Sequence, residues 1–198
     1  MKIPLFLKSV ILTIAMLMMA PIALAKVGVF GVMNSTVLER KISLGWLGDI
    51  STGSYQTVSR TGFGLSYETQ VQGPWHMEVD VIYQPRGYKD SVYEYTWNNI
   101  QVPVLARWAG SQVLYAVIGL MFTNASGDIT QKTSSSETTK TFQEMKLKQM
   151  DTSLTYGIGV IIKKLTLEYR LSGGISDMDD DTTTTNSKDS QIMIGLQF

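Results

Sequence analysis

Between Trp75 and Tyr83 the chain alternates strictly. Trp75, Met77, Val79, Val81 and Tyr83 form one set, and His76, Glu78, Asp80 and Ile82 form the other. The first set is wholly apolar, while the second carries two carboxylates. A helix spreads such residues around its circumference. A strand sends successive side chains to opposite faces, so a period of two predicts a strand here. Six further segments pass the same test. They are Phe63, Leu65 and Tyr67; Ile100 to Trp108; Leu114 to Phe122; Leu154 to Ile162; Leu165 to Leu171; and Ile192 to Phe198, each taken at every second residue. An eighth strand is expected near Val27 to Asn34, where the two faces are less distinct.

None of these apolar faces carries a charge. Glu68, Glu78, Asp80, Arg107, Glu168 and Arg170 all fall on the opposite faces. Periodicity alone does not say whether the apolar face points inward, as in a soluble sandwich, or outward into lipid. Three features favour lipid. Short links follow strands two, four and six (Gln72-Gly73-Pro74, Ala109 to Gln112, Lys163-Lys164). Long links follow strands one, three, five and seven, at about Ser35–Val58, Pro85–Thr96, Asn124–Met150 and Gly173–Ser190. Tight turns on one rim and long loops on the other are the habit of membrane barrels. The polar faces are also rich in glycine (Gly62, Gly64, Gly119, Gly157, Gly159 and Gly195), which suits a lumen barely wide enough for side chains. Aromatic residues gather at strand ends. Trp75, Trp108 and Phe198 lie by the short turns, and Tyr83, Tyr88, Tyr93, Tyr95, Trp97 and Phe122 lie toward the long loops, as two interfacial girdles would require.

Composition sharpens the reading at the N-terminus. Lys2 and Lys8 precede an apolar run from Ser9 to Ala20, Pro21 breaks it, and Ala23-Leu24-Ala25 is a small-residue cleavage site. Residues 1–25 are therefore expected to be a cleaved signal peptide and residues 26–198 a single barrel domain. Removing Lys2 and Lys8 leaves a net charge near −2, not the basic balance of a nucleic-acid-binding protein. The chain has no cysteine, so no disulfide can stabilise the exported domain. No later segment approaches the length of a membrane helix, so a bilayer must be crossed by strands. The expected fold is all-β, an eight-stranded antiparallel up-and-down transmembrane barrel, and the expected location is the cell outer membrane.

Asn99 to Arg107 resembles the fourth strand of the outer-membrane β-barrel domain proteins of the PorT-like and OmpX-like kind. Tyr156-Gly157-Ile158-Gly159 and Gly195-Leu196-Gln197-Phe198 are similar to the sixth and last strands of that family. The resemblance implies insertion from the periplasm by the barrel-assembly machinery, which reads the last strand. On this chain its signal falls on Ile192, Ile194, Leu196 and Phe198.

Candidate chemistry is sparse. A lipid-modifying barrel enzyme needs a histidine beside a serine and a carboxylate. The one histidine, His76, opens a strand at the short-turn rim, and no serine shares its face nearby. It reads as a structural rim residue. The six charged residues above each lie close to a short turn and should share one half of the lumen. Buried charges must be paired, so they are expected to form a lumenal salt-bridge network that plugs the barrel. The acidic run Asp177 to Asp181 lacks the spacing of an EF-hand loop and reads as a solvated loop, like the Ser/Thr-rich stretch Thr130–Thr141. No cofactor and no metal is expected. The expected partners are outer-membrane lipid and lipopolysaccharide, and the barrel is expected to be a monomer. The leading expectation is a non-enzymatic surface protein acting through its loops or in envelope integrity. The alternatives are a narrow channel for small solutes and a lipid-modifying enzyme.

Overall fold

A computed structural model describes residues 25–43, 49–54, 56–89, 92–133, 136–145, 148–175 and 183–198. The expected leader, up to residue 24, and the acidic run Asp177 to Asp181 lie outside the described residues. Among the described residues ten strands follow one another: β1 (Ala25–Ser43), β2 (Asp49–Ser54), β3 (Gln56–Gln72), β4 (Trp75–Lys89), β5 (Glu94–Ala109), β6 (Leu114–Lys132), β7 (Glu137–Lys140), β8 (Met150–Ile162), β9 (Leu165–Gly174) and β10 (Thr183–Gln197). Eight are staves, in the order β1-β3-β4-β5-β6-β8-β9-β10, and β10 pairs back onto β1 to close an antiparallel barrel. The seam runs from Gly28 opposite Gln197 to Ile42 opposite Thr183. Closure removes both sheet edges, which a bilayer would otherwise leave without hydrogen-bond partners.

The faces are inverted relative to a soluble domain. Phe63 is 64% exposed and Ile158 68% exposed, whereas Asp80 is fully buried and Arg170 is 1% exposed. The apolar faces of all seven clearly alternating strands point outward. The first strand is less legible because its parity is mixed: Phe30 and Val32 face the lumen while Gly31 faces out. On the inside, Phe30 and Val32 meet Ile82 and Met193 in a small apolar layer.

The short links are as tight as the sequence suggests. Gly73 and Lys163 take left-handed φ values of 56° and 59°, which a two-residue hairpin link requires. In the β5–β6 turn, Ser111 Oγ accepts hydrogen bonds from the backbone N–H groups of Val113 (3.1 Å) and Leu114 (2.8 Å).

The segments expected to be long loops are largely strand. β1 runs on to Ser43 and carries β2 as an added strand, β4 and β5 stay paired to Lys89 and Glu94, and β6 folds back onto β7. The stretch Thr130–Thr141, expected as a mobile loop, is thus mostly the β6–β7 hairpin. Thr and Ser sustain a ladder outside the bilayer, where no apolar face is needed and the alternation therefore fades. A second correction concerns the outer girdle. Tyr95 and Trp97 face inward and pack with Ala125, Ile129 and Phe142 in a buried cluster, whereas Tyr83 is outward-facing. Gly127, at φ 77°, sits in the irregularity that lets β6 bend there.

Candidate functional site

Parity and the short turns together place Glu68 (β3), Glu78 and Asp80 (β4), Arg107 (β5), and Glu168 and Arg170 (β9) on the lumenal wall, all buried. The structure brings the six into one connected cluster. Arg107 Nη1 lies 2.5 Å from Glu68 Oε2 and 3.0 Å from Glu78 Oε2. Arg170 reaches across to Glu78 Oε1 at 2.6 Å and Asp80 Oδ2 at 2.5 Å, and its Nε contacts Glu168 on its own strand. Glu78 is the joint, since it touches both guanidinium groups.

Four carboxylates face two arginines, and other donors make up the difference. At the rim, His76 Nδ1 lies 2.7 Å and Lys26 Nζ 3.7 Å from Glu68 Oε1. Gln197 Nε2 donates to Glu68 Oε2 at 2.5 Å, which ties the last strand to the third. Tyr115 OH donates to Glu168 Oε2 at 2.7 Å, and its ring lies 3.6 Å beneath the Arg107 guanidinium carbon. Tyr115, Gln197 and Lys26 do not stand out in the sequence, because they meet the cluster from neighbouring staves rather than along its own strands.

The glycines explain how so much fits. A Cβ on Gly159 would collide with the Tyr115 ring, and one on Gly157 would meet Arg170 Cγ at 3.0 Å. A Cβ on Gly64 would collide with the ring of Phe30. These glycines are seats for rings and for a guanidinium stem, a more specific role than the general spaciousness expected of them. What remains open beside the cluster is a cavity of about 30 Å³ lined by Ser66, Glu78, Tyr115, Glu168 and Arg170 among others. That is room for roughly two water molecules.

A second polar region lies further along the lumen. Gln101 and Gln191 are joined at 2.8 Å, and Thr155 and Ser172 at 2.8 Å. Beyond them Arg86, 1% exposed, contacts Asp189 and stands 3.9 Å from Asp151. Sequence reasoning missed this group because Arg86 and Asp189 fall in stretches read as loops. Their parity would have revealed them: Arg86 keeps step with Gln84 and Ile82, Asp189 with Gln191, and Asp151 with Ser153. Above this region Trp97 and Phe142 meet edge-on at 6.2 Å between centroids. Phe142 is held by a reciprocal turn in which Thr141 N–H donates to Glu144 Oε2 (2.7 Å) and Glu144 N–H to Thr141 Oγ1 (3.2 Å). The Thr141 N–H holds the exposed Glu144 carboxyl below the usual carboxylate range.

Each carboxylate of the inner cluster is engaged by a cation or donor. His76 is engaged by Glu68. Among the described residues no group of three or more His, Cys, Asp or Glu is arranged to hold a metal ion. Of the expected assembly residues, Ile192, Ile194 and Leu196 line the outward face of β10 and Phe198 is exposed just past its end, with Lys164 Nζ 5.2 Å from its ring centroid.

A family model described as "Outer membrane protein beta-barrel domain" matches residues 26–180. No curated protein matches the chain. Among solved structures, the Neisserial surface protein A is similar at 9% identity, with 86% of this chain and 97% of that chain covered and a TM-score of 0.51. The outer membrane protein OprG of Pseudomonas aeruginosa is similar at 12% identity, covering 88% and 96%, with a TM-score of 0.48. The attachment invasion locus protein Ail of Yersinia pestis, solved with a heparin analogue, is similar at 13% identity, covering 86% and 99%, with a TM-score of 0.43.

Proposed function

Since the chain belongs to the outer membrane protein beta-barrel domain family, and so stands in the outer membrane as a small closed barrel, we propose that it is a non-enzymatic surface protein with a plugged lumen. The observation that carries this reading is the filling of the lumen at successive levels. The Arg107–Arg170 cluster closes the half nearest the short turns, the Val32–Ile82–Met193 layer follows, and the Arg86 group and the Trp97–Phe142 cluster close the other half. Beside the inner cluster the space left is a cavity of about 30 Å³, which supports a lumen too narrow there for a hydrated solute.

The work of the protein then falls to what stands outside the bilayer. The paired extensions of β1 with β2, β4 with β5 and β6 with β7 form a ladder-stiffened platform. A pre-ordered platform loses less entropy on binding than loose loops do. The lone histidine supports the non-enzymatic reading, since it is spent on Glu68 at the rim.

The platform is testable in cells. Replacing residues 130–149 by a short turn should leave a barrel that still shifts on SDS gels upon boiling. It should also abolish whichever surface phenotype the full chain confers when scored by host-cell adherence, phage adsorption and detergent sensitivity. A phenotype that survives removal of this β6–β7 part of the platform would sink the proposal.

A further inference from the structure

The bilayer-facing surface is not evenly convex. Outward residues of β4, β5, β6, β8 and β9 leave a groove of about 650 Å³. Its floor is Ala106 and Ala116, which lie beside each other because Ala106 pairs with Ile118 and Ala116 with Trp108. Trp75 and Trp108 face each other across β4 and β5 and wall one end. Tyr156 and Tyr169 wall the other, and all four rings are exposed.

The groove has a direction. Trp75 opens β4 directly after the Gly73 turn, and Trp108 is the penultimate residue of β5. Tyr156 and Tyr169 stand well inside their strands, away from the Lys163 turn. Short turns mark the periplasmic rim of such barrels. The groove therefore runs from the periplasmic interface obliquely into the hydrocarbon belt.

We infer that this groove seats one acyl chain of a periplasmic-leaflet glycerophospholipid, with its ester region against the two indoles. The groove is continuous with the surface that already contacts lipid, and the occupant must be apolar and elongated. Its shallow end lies where indole N–H groups meet ester and phosphate oxygens. Rigid aromatic walls lose little freedom when a chain settles between them. A second copy of this chain fits poorly, since a two-fold contact sets one concave groove against another and fills neither.

Native mass spectrometry tests this on the whole barrel, reconstituted in phosphatidylethanolamine–phosphatidylglycerol vesicles and extracted in mild detergent. The wild type is expected to retain one phospholipid. Ala106→Trp and Ala116→Trp, which fill the floor, should each cut that occupancy about tenfold. Val29→Trp, on the outward face of β1 and away from the groove, should leave it unchanged. Tyr169→Ala widens the groove instead of filling it, and it should also lower retention; it serves if the filled variants fail to assemble. Heat-modifiable migration reports the fold of every variant. No retained lipid, or equal retention by wild-type and groove variants, overturns the inference. So does a two-barrel species that Ala116→Trp dissolves, which would assign the groove to a second copy.

Discussion

Arg170→Ala removes the guanidinium that engages Glu78, Asp80 and Glu168. The three carboxylates fare differently. Glu78 keeps Arg107 at 3.0 Å, and Glu168 keeps the Tyr115 hydroxyl at 2.7 Å. Asp80 is fully buried, its Oδ2 is held by Arg170 and its Oδ1 has no partner. The variant therefore leaves one buried carboxylate uncompensated. Breaking a buried pair in this way costs about 3–5 kcal/mol. For a chain of this size that corresponds to a fall of about 6–20 °C in the unfolding midpoint. The assay is the temperature at which the folded band on an SDS gel gives way to the heat-denatured one. Asp80→Asn in the Arg170→Ala background removes the orphaned charge and should recover roughly 2 kcal/mol of the loss. Arg170→Met, which keeps most of the volume, separates lost packing from lost charge. If Arg170→Ala melts within about 2 °C of the parent, or Asp80→Asn only adds to the damage, the cluster does not hold the barrel together.

Other outcomes follow from single sites. Gly119→Val places a Cβ against the Val104 carbonyl and 2.8 Å from Leu105 Cα, rigid backbone, and should cost about 1–3 kcal/mol in urea unfolding. Gly31→Val meets nothing within 4 Å on the outward face and should be neutral or mildly stabilising in the same assay. Because Glu144 has a depressed folded pKa, its contribution to the turn is present at neutral pH and is lost as pH falls through that value. Acidification, like Glu144→Gln, should therefore weaken the near-ultraviolet circular dichroism of the Trp97–Phe142 pair, and a pH-independent signal would contradict this. Phe198→Ala should lower the yield of assembled barrel in cells more than it lowers the melting temperature of purified protein, if β10 carries the assembly signal. Protein purified from outer membranes should begin at Lys26, as N-terminal sequencing would show.

The legibility of this fold tracks the bilayer. Where a stave crosses hydrocarbon, one face must be apolar throughout, so β4, β6 and β8 announce themselves by alternation alone. Where the same strands leave the bilayer the constraint lapses, and Thr-rich stretches such as Thr130 to Lys132 look like loops although they remain paired. The inner charge cluster was visible because parity and short turns both act along the chain. Its neutral partners Tyr115 and Gln197 were not, because they approach Glu168 and Glu68 from other staves, each across one intervening strand. Arg86, Asp151 and Asp189 were hidden for the first reason, since they lie where the outward alternation has ended. Tyr95 and Trp97 show the same limit: counted as girdle residues by their position along the chain, they turn inward by parity and cap the lumen instead.

The central claim is that the lumen is closed, and single-channel recording in planar bilayers tests it most directly. Wild-type barrels, shown to be inserted by their heat-modifiable migration, should give no conductance steps. Arg107→Ala combined with Arg170→Ala, which dismantles the cluster between Glu68 and Asp80, should give steps or flickering openings. Stable open steps from the wild type at neutral pH would contradict the account.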